Sequence, residues 1–191
     1  MSKTISANRL PLILLEANGV KEQMELTIKS IKECMGQIIY SDRASVFAFL
    51  GCFSCELYLK FIIACEKWDK KKPVIDLQYG HILDNLFNHS LSQECKQAIH
   101  SKVINSGVVS SEQEFNECLS ACSDGFVKWR YYFETEIDNP EDSTSMGENK
   151  IEIRTSFLVE LSNALADYSN KLFERINYEF DSDEAPFIEL I

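Results

Sequence analysis

The sequence predicts an all-α fold: an antiparallel helical bundle of about five to six helices, in one domain spanning residues 1–191. Three observations carry that expectation. Apolar residues recur at steps of three and four through segment after segment, the period of one buried helix face. No stretch alternates convincingly with period two, as a half-buried strand would. Only 7 Gly and 4 Pro are present, little turn chemistry for many short strands. Long helices with short connections favour antiparallel neighbours.

At the N-terminal end, Leu10-Pro-Leu-Ile-Leu-Leu15 is an apolar run of ambiguous type, in which Pro11 suits a first helical turn and Gly19 would separate it from the main helix. Over 20–40, Met24, Ile28, Ile31, Met35 and Ile38 step 4, 3, 4, 3, while Lys21, Glu25, Lys29 and Lys32 face away. Ser41 is the expected N-cap of the next helix, with Asp42 near its positive end. That helix runs to about residue 68 on a stripe of Phe47, Leu50, Ser54, Leu57, Phe61, Ala64 and Trp68. Leu59, Ile62 and Ile63 widen the apolar face, which makes it the expected central helix. Lys70-Lys-Lys-Pro73 ends it, and 74–80 is a connector.

Two short helices are expected over 81–91, with Leu83, Leu86 and Phe87 inward, and over 92–105, with Cys95, Ile99 and Val103 inward. After a turn at Asn105-Ser-Gly-Val, Ser110 or Ser111 caps a helix reaching about residue 134. Residues 135–150, acidic and rich in turn formers, read as a mobile loop. The last helix spans about 152–180 through Phe157, Leu161, Ala164, Tyr168, Leu172 and Ile176. An acidic tail, 181–191, ends in an apolar stretch that is either docked or a contact for a partner.

Bulk composition excludes several function classes. The chain is long enough for one well-packed core and short for two. Its net charge of −11 is uneven: residues 1–75 carry 11 basic against 8 acidic side chains, a balance of +3, and the remainder carries −14. A broad basic footprint for gripping nucleic acid backbone is absent, so RNA or a nucleotide has no support from charge, although a small site is not excluded. Seven cysteines, an odd number, fall mostly within periodic segments and no secretory signal precedes them, which points to a reducing cytoplasm. Glu56 and Lys60 interrupt the best candidate for a membrane span, so no membrane is expected.

The chemistry-bearing residues are few. The segment 118–134 places Leu119, Cys122, Phe126, Trp129 and Phe133 on one face, with Arg130 beside that stripe and Tyr131 and Tyr132 after it. A buried Arg needs a carboxylate, so Arg130 either holds the bundle together or lines a site. Glu56/Lys60 and Arg130/Glu134 are each spaced i, i+4 and can close within a helix. They can equally cross-pair between neighbouring antiparallel helices. Cys52-Phe-Ser-Cys55 lacks both the strand-to-helix setting of a redox pair and a second ligand pair at zinc spacing. It reads as small residues that let helices approach, and no metal or other cofactor is expected. His81, at the start of a short helix, caps or packs; His89 and His100 fall on polar faces and are expected to be solvated. There is no GxxxxGK[ST], GxGxxG or HExxH pattern.

Glu56-Leu-Tyr-Leu-Lys60, then Gly80-His-Ile-Leu-Asp-Asn-Leu86, then Trp129-Arg-Tyr131 arrive in an order that resembles the HEPN superfamily (higher eukaryotes and prokaryotes nucleotide-binding) over residues 20–180. The resemblance implies a dimeric helical bundle. Many members are metal-independent RNases of toxin–antitoxin, abortive-infection and CRISPR systems, in which an R-x(4–6)-H motif from each subunit meets across a cleft. Here no histidine follows any arginine by five to seven positions, and Glu134 lies one turn after Arg130. Three functions are compatible with these residues. The first is a non-catalytic, dimerising or binding protein of a prokaryotic accessory or defence system. The second is a diverged RNase using Arg130 with Tyr131, Glu134 or His81. The third is a plain partner-binding bundle.

Overall fold

The computed structural model describes residues 3–33, 40–68, 74–77, 80–123 and 148–181. Among them lie six α-helices: α1 Leu10–Glu33, α2 Tyr40–Lys67, α3 Leu83–Ser90, α4 Gln93–Asn105, α5 Glu112–Ser123 and α6 Glu148–Asp181. The all-α bundle is therefore present. Two four-residue strands, β1 Lys3–Ser6 and β2 Val74–Leu77, pair antiparallel with Lys3 opposite Leu77 and Ser6 opposite Val74. The expected connector over 74–80 thus contains a strand. Four residues are too few for a period-two pattern to register, and Ile75, opposite Ile5, is the position that reaches the core.

Helix α1 runs unbroken through Gly19. The run beginning at Leu10 is helical because Leu10, Leu14 and Ala17 continue the buried face of Met24 and Ile31. A mid-helix glycine costs about 1 kcal/mol, less than the burial of two leucines returns. Helix α2 starts at Tyr40, so Ser41 lies inside its first turn rather than at the N-cap.

Helix α2 is the centre of the bundle, as expected from its width of apolar face. Phe47, Cys52, Cys55, Tyr58, Leu59, Phe61, Ile62, Ile63 and Ala64 are all buried. Helix α1 packs against it antiparallel, with Asn18 opposite Tyr58 and Met24 opposite Gly51. Helix α6 returns parallel to α2: Leu158 lies at Gly51, Ser162 at Ser54 and Phe173 at Phe61. At Gly51 the three helices converge, and an added Cβ would sit 3.3 Å from both Leu158 Cδ1 and Met24 Sδ. The Ser54 and Ser162 hydroxyls, both fully buried, satisfy each other at 3.0 Å.

Helices α3, α4 and α5 form the crossover. Ser92 caps α4 by accepting from the Cys95 N–H at 3.2 Å, and its own N–H donates to Glu66 at 2.9 Å, tying α4 to the end of α2. Gly107, at φ +80°, makes the turn after α4, a conformation that a side chain disfavours. Ser111 caps α5 by accepting from the Glu114 N–H at 3.2 Å, while the Glu114 carboxylate returns to the Ser110 N–H at 2.7 Å. The inward residues expected for α3 and α4 are all buried. Helix α5 is described to Ser123; Phe126, Trp129 and Phe133 lie outside the described residues. Helix α6 begins at Glu148, so 148–150 belong to it rather than to the expected loop; 135–147 and 182–191 lie outside the described residues.

Among the described residues, one stretch, Val46–Lys67 of α2, is long and apolar enough to cross a membrane. Glu56 and Lys60 do not disqualify it on composition. More than half of it is buried against the other helices of the bundle.

Candidate functional site

Two of the motifs singled out in the sequence meet. Helix α2 carries Glu56 and Lys60 one turn apart on one face, and Lys60 Nζ reaches Glu56 Oε1 at 2.6 Å. Gly80, at φ +125°, turns the chain into His81, which stands two residues before α3. The His81 Nδ1 lies 2.9 Å from the same Glu56 oxygen. One carboxylate oxygen therefore faces both an ammonium and an imidazole.

The three groups differ sharply in exposure. The Glu56 side chain is 2% exposed, Lys60 20% and His81 58%. The anion is thus inside the protein and its partners lead outward. Glu56 Oε2 is buried and has no hydrogen-bond partner among the described residues. A buried carboxylate is costly in isolation, and here Lys60 supplies the counter-charge.

Helix α3, which follows His81, is anchored from the far side. The Asp84 N–H donates to Ser123 Oγ at 2.7 Å, and that hydroxyl donates to the Leu119 carbonyl at 2.9 Å. Asn88 Nδ2 donates to Asp84 Oδ1 at 2.7 Å. The site therefore lies between the middle of α2 and the described end of α5. Arg130, Tyr131 and Glu134, the remaining sequence candidates, lie outside the described residues, as do the alternative Glu56–Arg130 and Lys60–Glu134 pairings.

The cysteine pair Cys52 and Cys55 is fully buried on α2. Cys52 Sγ donates to the Cys122 carbonyl at 3.5 Å. Burial, with Cys122 beside it, pushes both thiols well above their ordinary pKa, so neither is a thiolate near neutral pH. Among the described residues, no three His, Cys, Asp or Glu side chains converge as a metal-ligand set.

His89 is exposed, as expected. His100 is not the solvated residue expected from a place on a polar helix face. Its side chain is 12% exposed, and its ring lies 4.3 Å from that of Phe115 and 5.1 Å from that of Phe87. The residue sits one position after the buried Ile99, at the edge of the inward face of α4, where α3 and α5 close over it.

Sequence reasoning also missed a polar cleft of about 510 Å³ between α1 and α6, bounded by Lys102 of α4. Asn18 on its wall accepts a 2.6 Å hydrogen bond from the buried Tyr58 hydroxyl, and Lys102 pairs with Asp167 across it. The signal available was the row Glu160, Asn163, Asp167 and Asn170, polar at helical spacing beside the buried stripe of α6. No family model, curated protein or solved structure matches the chain.

Proposed function

We propose that this chain is a HEPN-like helical protein that acts by dimerising and binding rather than by catalysis, in a prokaryotic accessory or defence system of the toxin–antitoxin kind. The observation that carries the non-catalytic reading is the closure of Glu56 within one subunit. Its one hydrogen-bonded oxygen is engaged by Lys60 and His81, and the other is shut away from solvent. A carboxylate so placed organises a scaffold, whereas a general base must reach a substrate proton. The convergence of the E-x-x-x-K and G-H segments supports the likeness to the superfamily, and the missing R-x(4–6)-H pattern supports loss of its nuclease chemistry.

The dimerising part rests on the outer face of α1. Leu12, Leu15 and Leu26 are 48%, 59% and 53% exposed and share a face with Gly19, where an added Cβ would meet nothing among the described residues. Leu12 and Leu26 each stand seven residues from Gly19. A second copy related by a two-fold axis near Gly19 would set each Leu12 against its partner's Leu26, with the glycines letting the backbones approach.

One observation favours the diverged RNase instead. An exposed imidazole oriented by a carboxylate, as His81 is by Glu56, is an arrangement used for acid–base catalysis. Incubation of the purified protein with labelled total RNA in EDTA, beside Arg130→Ala and His81→Ala variants, separates the two. No cleavage, together with a dimer mass by light scattering that Leu15→Glu/Leu26→Glu converts to monomer, is expected. Cleavage abolished by either single substitution in a folded protein would replace the binding reading with the RNase reading.

A further inference from the structure

We propose that His100 is a pH-sensitive clasp: neutral, it locks α3, α4 and α5 together, and protonated, it releases them from one another. The clasp would operate whether the protein binds a partner or cleaves RNA.

The geometry is an aromatic cage that joins four helices. From α4, the His100 ring meets Phe87 of α3 and Phe115 of α5, the latter edge-on at 79°. Phe87 and Phe115 also touch, with centroids 5.2 Å apart, and Phe115 continues to Phe157 of α6 at 5.2 Å and 75°. His100 is the titratable member of this cluster. Its Nε2 is buried and has no hydrogen-bond partner among the described residues. A neutral imidazole tolerates this by leaving Nε2 as an unused acceptor, but a protonated ring carries N–H groups on both nitrogens. The second would point into buried surroundings that offer it no acceptor among those residues.

Among the described residues, two charged groups face the ring. Glu112 of α5 has Oε1 3.7 Å from Nδ1, too long for a hydrogen bond, and its side chain is 70% exposed. Lys96 lies one turn earlier on α4. Helices α3 and α6 present phenylalanine rings to the cluster. Glu112 favours the imidazolium, and the aromatic faces add some cation–π attraction. Burial and Lys96 act against it, and burial is the largest influence, holding the pKa below the ordinary 6.5. The opened state, with His100 in water, therefore binds the proton more readily than the closed state. Closure is complete above about 6.5 and weakens as pH falls toward the lowered value.

The junction that would open is the one supporting the candidate site. Helix α3 has eight residues, and His81 leads into it. Opening there would loosen the hold of α3 on the His81–Glu56 contact.

The test uses the full chain. A proton NMR titration of the three imidazoles is expected to show the His100 resonance midpoint below 6.5. Amide exchange at pH 7.5 and 5.5, corrected for intrinsic rates, is expected to rise in α3–α5 and not in α1, by up to roughly tenfold per pH unit between the closed and open pKa values. In His100→Phe the corrected rates should be independent of pH. A midpoint at or above 6.5 would overturn the proposal without recourse to any variant. So would an unchanged wild-type exchange pattern, or a His100→Phe protein that responds as wild type does.

Discussion

Glu56 and Lys60 form one ion pair, yet removing one or the other should have very different costs. The carboxylate is 2% exposed, whereas Lys60 and His81 are 20% and 58% exposed. In Glu56→Gln the amide keeps the volume and can still accept at the former Oε1, but its Nε2 then takes the buried place of Oε2, where no partner is found among the described residues. The freed Lys60 ammonium sits where water reaches it, so the loss is that of a hydrogen bond to a charged group together with a buried amide N–H lacking an acceptor, about 1.5–3 kcal/mol. In Lys60→Met the anion stays in the core, and among the described residues His81 is the partner it retains. Removing one member of a buried pair costs about 3–5 kcal/mol. For a chain of this size the melting temperature should fall by roughly 3–12 °C in Glu56→Gln and roughly 6–20 °C in Lys60→Met. Urea unfolding followed by far-UV circular dichroism at pH 7.5 reads both. Equal costs for the two variants, or a larger cost for Glu56→Gln, would refute the view that the anion is the enclosed partner.

Three further outcomes are expected from the packing. Ser54→Ala strands the Ser162 hydroxyl in a dry helix–helix contact and should cost about 1–2 kcal/mol, and Ser54→Ala/Ser162→Ala should recover much of it; a double-mutant cycle by chemical denaturation measures the coupling. Gly107→Ala forces a Cβ into the left-handed region at φ +80° and should lower stability by about 1–2 kcal/mol, although none of the described residues lies within 4 Å of that Cβ, so the loss would be conformational strain alone. Cys52 and Cys55 should resist thiol-labelling reagents at pH 8 until the protein unfolds, while Cys65 and Cys95, with pKa values pushed up to about 12, should label little faster; mass spectrometry after timed quenching gives the order.

The helical core was legible in sequence wherever burial alone decides position. The inward residues of α3 and α4 follow from spacing because each helix is buried along a single stripe. Helix α2 was recognisable as central because its apolar residues exceed one stripe. The features that escaped were set by contacts distant in sequence. The continuity of α1 through Gly19 depends on a face that α2 covers. The β1–β2 ladder is specified by backbone pairing across some 70 residues, with four-residue strands that carry little pattern. His100 looked solvated because helical spacing puts it off the Cys95, Ile99, Val103 stripe; its neighbours in space, Phe87 and Phe115, come from two other helices. Within the candidate site, the i, i+4 spacing made Glu56 with Lys60 foreseeable, whereas the approach of His81 to the same oxygen required the turn at Gly80.

The parallel return of α6 along α2 governs how this chain reaches its native state. Six residues separate α1 from α2, but about 80 separate α2 from α6. Closing the longer loop costs about 2 kcal/mol more in chain entropy. Loop entropy therefore favours a route in which the α1–α2 hairpin assembles first and α6 docks after the crossover helices have shortened the path. Until then the strip of α2 containing Ser54 and Phe61 lacks its α6 neighbours. A nascent chain that stalls before α6 is made exposes that strip to chaperones and to other stalled chains, so the rate of synthesis through α6 sets the aggregation hazard of the protein.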